Sequence, residues 1–101
     1  VRTHILKVEH EYMDALKSGE KKFEVRRDDR GFQKGDRLIL CRWGKCRSNG
    51  SSYGYMNDDG RVVSTSNWSY SAIDSVERKI TYILTGGQFG IEPGYVVLGL
   101  K

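Results

Sequence analysis

The sequence contains no hydrophobic run near the ~20 apolar residues that a membrane-spanning helix requires, and its first residues lack the charged-then-apolar layout of a secretory signal. A soluble, cytoplasmic chain is therefore the expectation. Cysteine is scarce: Cys41 and Cys46 are too few for a secreted disulfide scaffold. Their Cys-x4-Cys spacing has no second ligand pair for zinc, and His4 and His10 lie far away in sequence. Free structural thiols are expected ahead of a local disulfide or a bound metal, and neither a cofactor nor a metal is expected. Proline occurs once, and the chain shows neither internal repeats nor alternating βαβ units, which excludes a Rossmann-type sheet.

Enough apolar residues are nevertheless present to build a core: 38% of the chain is hydrophobic and 30% charged, which is not the composition of a disordered segment. A chain of 101 residues supports one core, so a single domain over residues 1–101 is expected, as a monomer rather than an oligomer. The net charge of +4 is unevenly spread. Residues 1–47 hold thirteen Lys and Arg against eight Asp and Glu, whereas 48–101 hold four against five. Within 21–47 the balance is ten basic to four acidic, a positive field if these side chains share a face and a solvated surface if they do not.

Periodicity gives the elements. His4 to Val8 reads as a short strand and runs into Val8, Tyr12, Ala15 and Leu16 at helical spacing. Gly19 and Lys17 mark the stop of a helix of about three turns. Lys21 to Arg27 alternates, with Phe23 and Val25 on one face and Lys22, Glu24 and Arg26 on the other, as in a half-buried strand. Two turns follow, Asp28-Asp29-Arg30-Gly31 and Lys34-Gly35-Asp36, then a nearly continuous apolar strand from Arg37 to Trp43 expected in mid-sheet. Residues 44–72 form a polar insertion in which Asp58-Asp59-Gly60 turns a protruding hairpin between 53–57 and 61–65, with mobile flanks. Val76 to Leu84 is an alternating strand broken by Gly86-Gly87, and Gly94 to Leu100 reads as a buried final strand. This order predicts an α+β, mostly β domain: a small curled or barrel-like antiparallel sheet with one main helix and an inserted hairpin.

The chemistry concentrates between Gly19 and Arg30, where five cationic side chains, Lys21, Lys22, Arg26, Arg27 and Arg30, surround Glu24. Glu24 and Arg26 project from the same strand face, so the carboxylate can hold the guanidinium as a fixed fork suited to a planar or anionic ligand. Lys21, just past the helix stop, is a point charge on a long stem suited to a phosphate or a polar base edge. The plain alternative is a charge pair that supports the sheet by a few tenths of a kcal/mol and binds nothing. Tyr53, Tyr55, Trp68 and Tyr70, with Trp43 at the root of the insertion, are candidates to stack bases or to pack on one another. Lys7 is a candidate at the rim, whereas His4 reads better as a satisfied structural histidine.

Gly19-x-Lys21-x-x-Glu24-x-Arg26 resembles the signature of ASCH domains, small β-barrels of the PUA-like superfamily. The likeness extends to His4-x-Leu6-Lys7, Tyr12, Asp29-Arg30-x-Phe32, Gly35-Asp36, Ile80-Thr-Tyr-Ile83 and Gly94-Tyr-Val-Val97, covering residues 4–43 and 76–100. It is similar to a small ASCH-like family common in bacteriophages. The resemblance implies a PUA-like barrel with a cleft beside the helix and a role in binding RNA or modified nucleobases. It places Gly19, Lys21, Glu24 and Arg26 along that cleft and Lys7 at its rim; with Arg27, Arg30 and Trp43 from the charge and aromatic reading, these are the expected ligand-binding residues. One branch of similar fold is an amidohydrolase of acetylated cytidine that uses a lysine, a threonine nucleophile and a distant glutamate. Lys21 falls on the lysine position, but Glu24 stands where the threonine would, and a carboxylate does not replace an activated alcohol. The phage-family stretch Tyr-Thr-Gly-Arg is also missing, replaced by Tyr70-Ser-Ala-Ile-Asp74 after the insertion.

The leading expectation is a non-catalytic module that binds RNA, single-stranded nucleic acid, a nucleotide or a modified nucleoside. A hydrolase of nucleosides or nucleic acid centred on Lys21 and Glu24 is the alternative, with Glu24 as base on a bound water. A phage protein-interaction or counter-defence module in the host cytoplasm, with the 44–72 hairpin as contact surface, is the third.

Overall fold

A computed structural model describes residues 1–46, 52–63 and 72–101. The described residues are mostly β with one helix, in the order β1 (Thr3–Glu9), α1 (His10–Ser18), β2 (Phe23–Arg27), β3 (Arg37–Lys45), β4 (Tyr53–Tyr55), β5 (Ser75–Thr85) and β6 (Tyr95–Leu100). Hydrogen bonding joins the strands along the path β1-β3-β5-β6-β2, and β4 pairs with β3 off that path. The path has two ends, β1 and β2. No helix among the described residues is long and apolar enough to cross a membrane.

The chain divides into two interleaved units, Val1–His4 with Lys22–Leu38 and Arg78–Lys101, and Ile5–Lys21 with Ile39–Glu77. In the first, β6 pairs antiparallel with both β2 and β5. Its buried apolar side chains are Phe32, Leu38, Ile80, Val96, Leu98 and Leu100. β6 is half-buried rather than wholly buried as its apolar run suggests, because Tyr95, Val97 and Gly99 alternate with the inward Val96, Leu98 and Leu100. The Lys34-Gly35-Asp36 turn forms as expected, Gly35 supplying the left-handed φ of 95°.

The second unit holds α1, whose last turn carries Lys17 near the negative end of the helix dipole and whose stop is Gly19 at φ 84°. The helix buries Leu16, as the spacing suggests, together with Met13, whereas Tyr12, expected on the same stripe, is about half exposed. Val8 belongs to β1 and is buried there. The hairpin turn at Asp58-Asp59-Gly60 is present: Asn57 and Arg61 bond across it, and Met56 bridges Val62. It is anchored rather than simply protruding, because Met56 is buried and its backbone bonds to Arg42 and Asp74. The last two residues of the expected hairpin, 64 and 65, and most of its expected flanks, 47–51 and 66–71, lie outside the described residues.

Candidate functional site

Strand β2 turns its charges inward. Cross-strand partners share a face, and the register sets Glu24 opposite Leu98 and Arg26 opposite Val96, both buried apolar positions of β6. Glu24 is accordingly 5% exposed and the Arg26 side chain 24%, whereas Phe23 at 46% and Val25 at 51% stand in solvent. An amphipathic strand normally buries its apolar face, as the alternation of Phe23 and Val25 suggests. Here that preference is reversed. Burying a carboxylate is costly unless a partner holds it. Arg26 supplies that partner, with both Nε and Nη2 donating to Glu24 Oε2 at 3.1 Å.

The remaining candidates on and after this strand point elsewhere. Arg27 lies on the outer face, its guanidinium carbon 5.5 Å from the centre of the Tyr95 ring. Arg30 sits in the exposed turn with Nε 3.6 Å from Asp29 Oδ1. Asp28 organises that turn by accepting the Phe32 amide at 3.1 Å.

In the other unit, Gly19 lets the chain leave α1, and the Lys21 amide returns to Ala15 O at 2.9 Å. This sets the Lys21 ammonium 5.5 Å from the centre of the Tyr12 ring. Lys7, Trp43 and Tyr55 do come together. Trp43 and Tyr55 meet edge to face at 5.2 Å, and the Lys7 ammonium lies 4.1 Å from the centre of the Trp43 ring, a cation–π contact. Beside them is a cavity of about 550 Å³ lined by Ile5, Ile39, Cys41, Tyr55, Ile73 and Ser75. Tyr53, paired with Lys45 across β3 and β4, is exposed. Trp68 and Tyr70 lie outside the described residues. Cys41 and Cys46 are both thiols, and burial pushes the Cys41 thiol up from its ordinary value.

Two polar clusters escaped the sequence reading. Arg42 occurs inside the apolar run of β3, yet only 1% of its side chain is exposed. Its Nη2 donates to Asp14 at 2.6 Å, its Nε to Asp74 at 2.8 Å and its Nη1 to His10 Nδ1 at 2.7 Å. Lys17 donates to the other oxygen of Asp74 at 2.8 Å. Burial pushes the Asp74 carboxyl up, but the bonds from Lys17 and Arg42 outweigh it and the net shift is downward. The Arg42 bond and charge likewise lower Asp14. For Arg42, burial opposes the charge and the bonds to Asp14 and Asp74 more than restore it. The signal was one charged residue in a strand otherwise reading as core.

The second cluster confirms the structural reading of His4. Its Nε2 donates to Asp36 Oδ2 at 2.8 Å, and its ring meets Phe32 edge-on at 4.9 Å. Asp36 also accepts the Arg2 and Gln33 amides, each at 3.1 Å. The His4 bond first, then the Arg2 amide, hold the Asp36 carboxyl down at about 2.

Among the described residues no group of three or more His, Cys, Asp or Glu side chains is arranged to hold a metal. The family model described as Domain of unknown function (DUF3850) matches residues 3–100, so the chain belongs to that family. No curated protein matches the chain.

Proposed function

We propose that this member of the DUF3850 family binds a nucleotide, or a nucleobase presented by RNA or another single strand, through the inward face of β2. The observation that carries the reading is the reversal of that strand: Glu24 and Arg26 are turned in as an ion pair while Phe23 and Val25 are left outside. A fork fixed by a carboxylate presents planar donors at a set angle, which suits a base edge or a phosphate. Arg27 and Arg30, on and just after the same strand, add the positive field that brings an anion to the region. The resemblance of Gly19-x-Lys21-x-x-Glu24-x-Arg26 to the ASCH signature supports the same reading. With it goes the finer architecture, a PUA-like barrel, and a place in the host cytoplasm if the chain is phage-encoded.

Titration calorimetry of the full chain with nucleoside monophosphates, modified nucleosides and short RNAs tests the proposal. At least one class binds, its affinity falls as salt rises, and Arg26→Ala weakens it by about tenfold or more. Affinity that is indifferent to salt, or that survives charge reversal at both Lys21 and Arg26, contradicts the reading.

A further inference from the structure

The outer face of the β5-β6-β2 sheet is a second recognition surface, and we infer that it is a stacking platform for single-stranded nucleic acid. The strand register defines it row by row. Phe23, Gly99 and Tyr82 lie side by side across the three strands, and Val25, Val97 and Leu84 form the next row. Arg27 and Tyr95 follow, with the guanidinium over the ring. At the opposite end Lys79 and Lys101 exchange both backbone bonds and are therefore directly opposed. They flank the inward Ile80 and Leu100, so both project outward.

Four features point to the occupant. Phe23 and Tyr82, the latter 64% exposed, stand on either side of Gly99, which has no side chain to fill the space between them. Flat groups can therefore lie against either ring. Cations stand at both ends and none of these outward positions is acidic. A second copy of this chain docking face to face would set cations against cations, whereas an anionic chain bearing flat apolar groups matches the pattern. From Lys101 to Tyr95 the strand rises ~20 Å, a length that suits about four nucleotides. A hollow of about 300 Å³ lined by Val25, Gly90, Ile91, Glu92 and Tyr95 adjoins the Arg27 end, with room for one base.

Fluorescence anisotropy of the full chain with labelled rU10 and dT10 tests the inference. The wild type binds both. Phe23→Leu and Tyr82→Leu each keep apolar area but lose the flat ring, and each weakens binding about tenfold, whereas Tyr82→Phe stays within about twofold. Melting curves accompany each variant, and if Phe23→Leu fails to fold, the two Tyr82 variants alone decide. The inference is overturned if the wild type binds neither oligonucleotide or if the leucine variants that fold bind like the wild type. It is also overturned if sedimentation shows a dimer that those variants dissociate. Mononucleotide binding lost in Arg26→Ala belongs to the inward pair and is read separately, so either proposal can fail without the other.

Discussion

Each unit pairs an arginine with a largely buried carboxylate, and the two differ in how far they are closed off: Arg42 is buried and Arg26 only partly so. Arg42 is closed off from solvent, with all three guanidinium nitrogens donating to His10, Asp14 and Asp74. Such a group ties α1, β3 and the entry to β5 together within one unit; its directions for bonding are occupied by the fold. Arg26 shares a single carboxylate oxygen between two nitrogens and keeps about a quarter of its side chain in solvent. An arginine closed off and saturated by the chain acts as a scaffold, whereas the proposed recognition role needs one that solvent still reaches, as it reaches Arg26.

The largest effect that sharpens this contrast is expected for Arg42→Ala. It leaves Asp74 buried beside Lys17 alone and is expected to cost about 3–5 kcal/mol of unfolding free energy in urea titrations. Arg26→Ala removes an ion-pair partner of Glu24 but with solvent nearby, so about 1.5–3 kcal/mol is expected from the same measurement, together with the loss of the proposed ligand binding. If Arg26→Ala proved the more destabilising, the division of roles would be reversed.

An acid limb follows from Asp36. Its carboxyl is held at about 2 in the folded chain, below the ordinary carboxylate value of about 3.9. A group whose folded pKa is depressed contributes stability that is complete above its unfolded value and is lost as pH falls through the folded one. Melting temperature should therefore fall between about pH 4 and pH 2, and Asp36→Asn should flatten that part of the curve. The downward shifts of Asp14 and Asp74 act in the same direction, so the residual slope in Asp36→Asn reports the Arg42 cluster. The smallest effect belongs to Lys7→Gln, which removes the cation over Trp43 at about 0.5–1 kcal/mol without touching either arginine.

Most elements were legible in the sequence because their signals are local. Gly19 ends α1, Gly35 turns into β3 and Gly86-Gly87 ends β5, each where a left-handed or broken backbone is needed or tolerated. The inward side of β2 was not legible. Alternation separates Phe23 and Val25 from Glu24 and Arg26, but which set faces the core is decided by register with β6, residues some seventy positions away. The Arg42 cluster was hidden for the same reason: His10, Asp14 and Asp74 reach it from separate stretches of chain. The Gly19 to Arg30 block was correctly singled out as charged and ordered at Glu24 and Arg26, but its neighbours Arg26 and Arg27 serve opposite faces, which a count of charges cannot show.

The role of β2 is tested most directly by following backbone amides and the Arg26 Nε–H by NMR while nucleoside monophosphates are added to the wild-type chain. The account predicts saturable shifts led by Glu24, Val25, Arg26 and the Arg26 side chain, reversed by added salt. Resonances of β2 that stay fixed at millimolar ligand, or shifts confined to other elements, would contradict it.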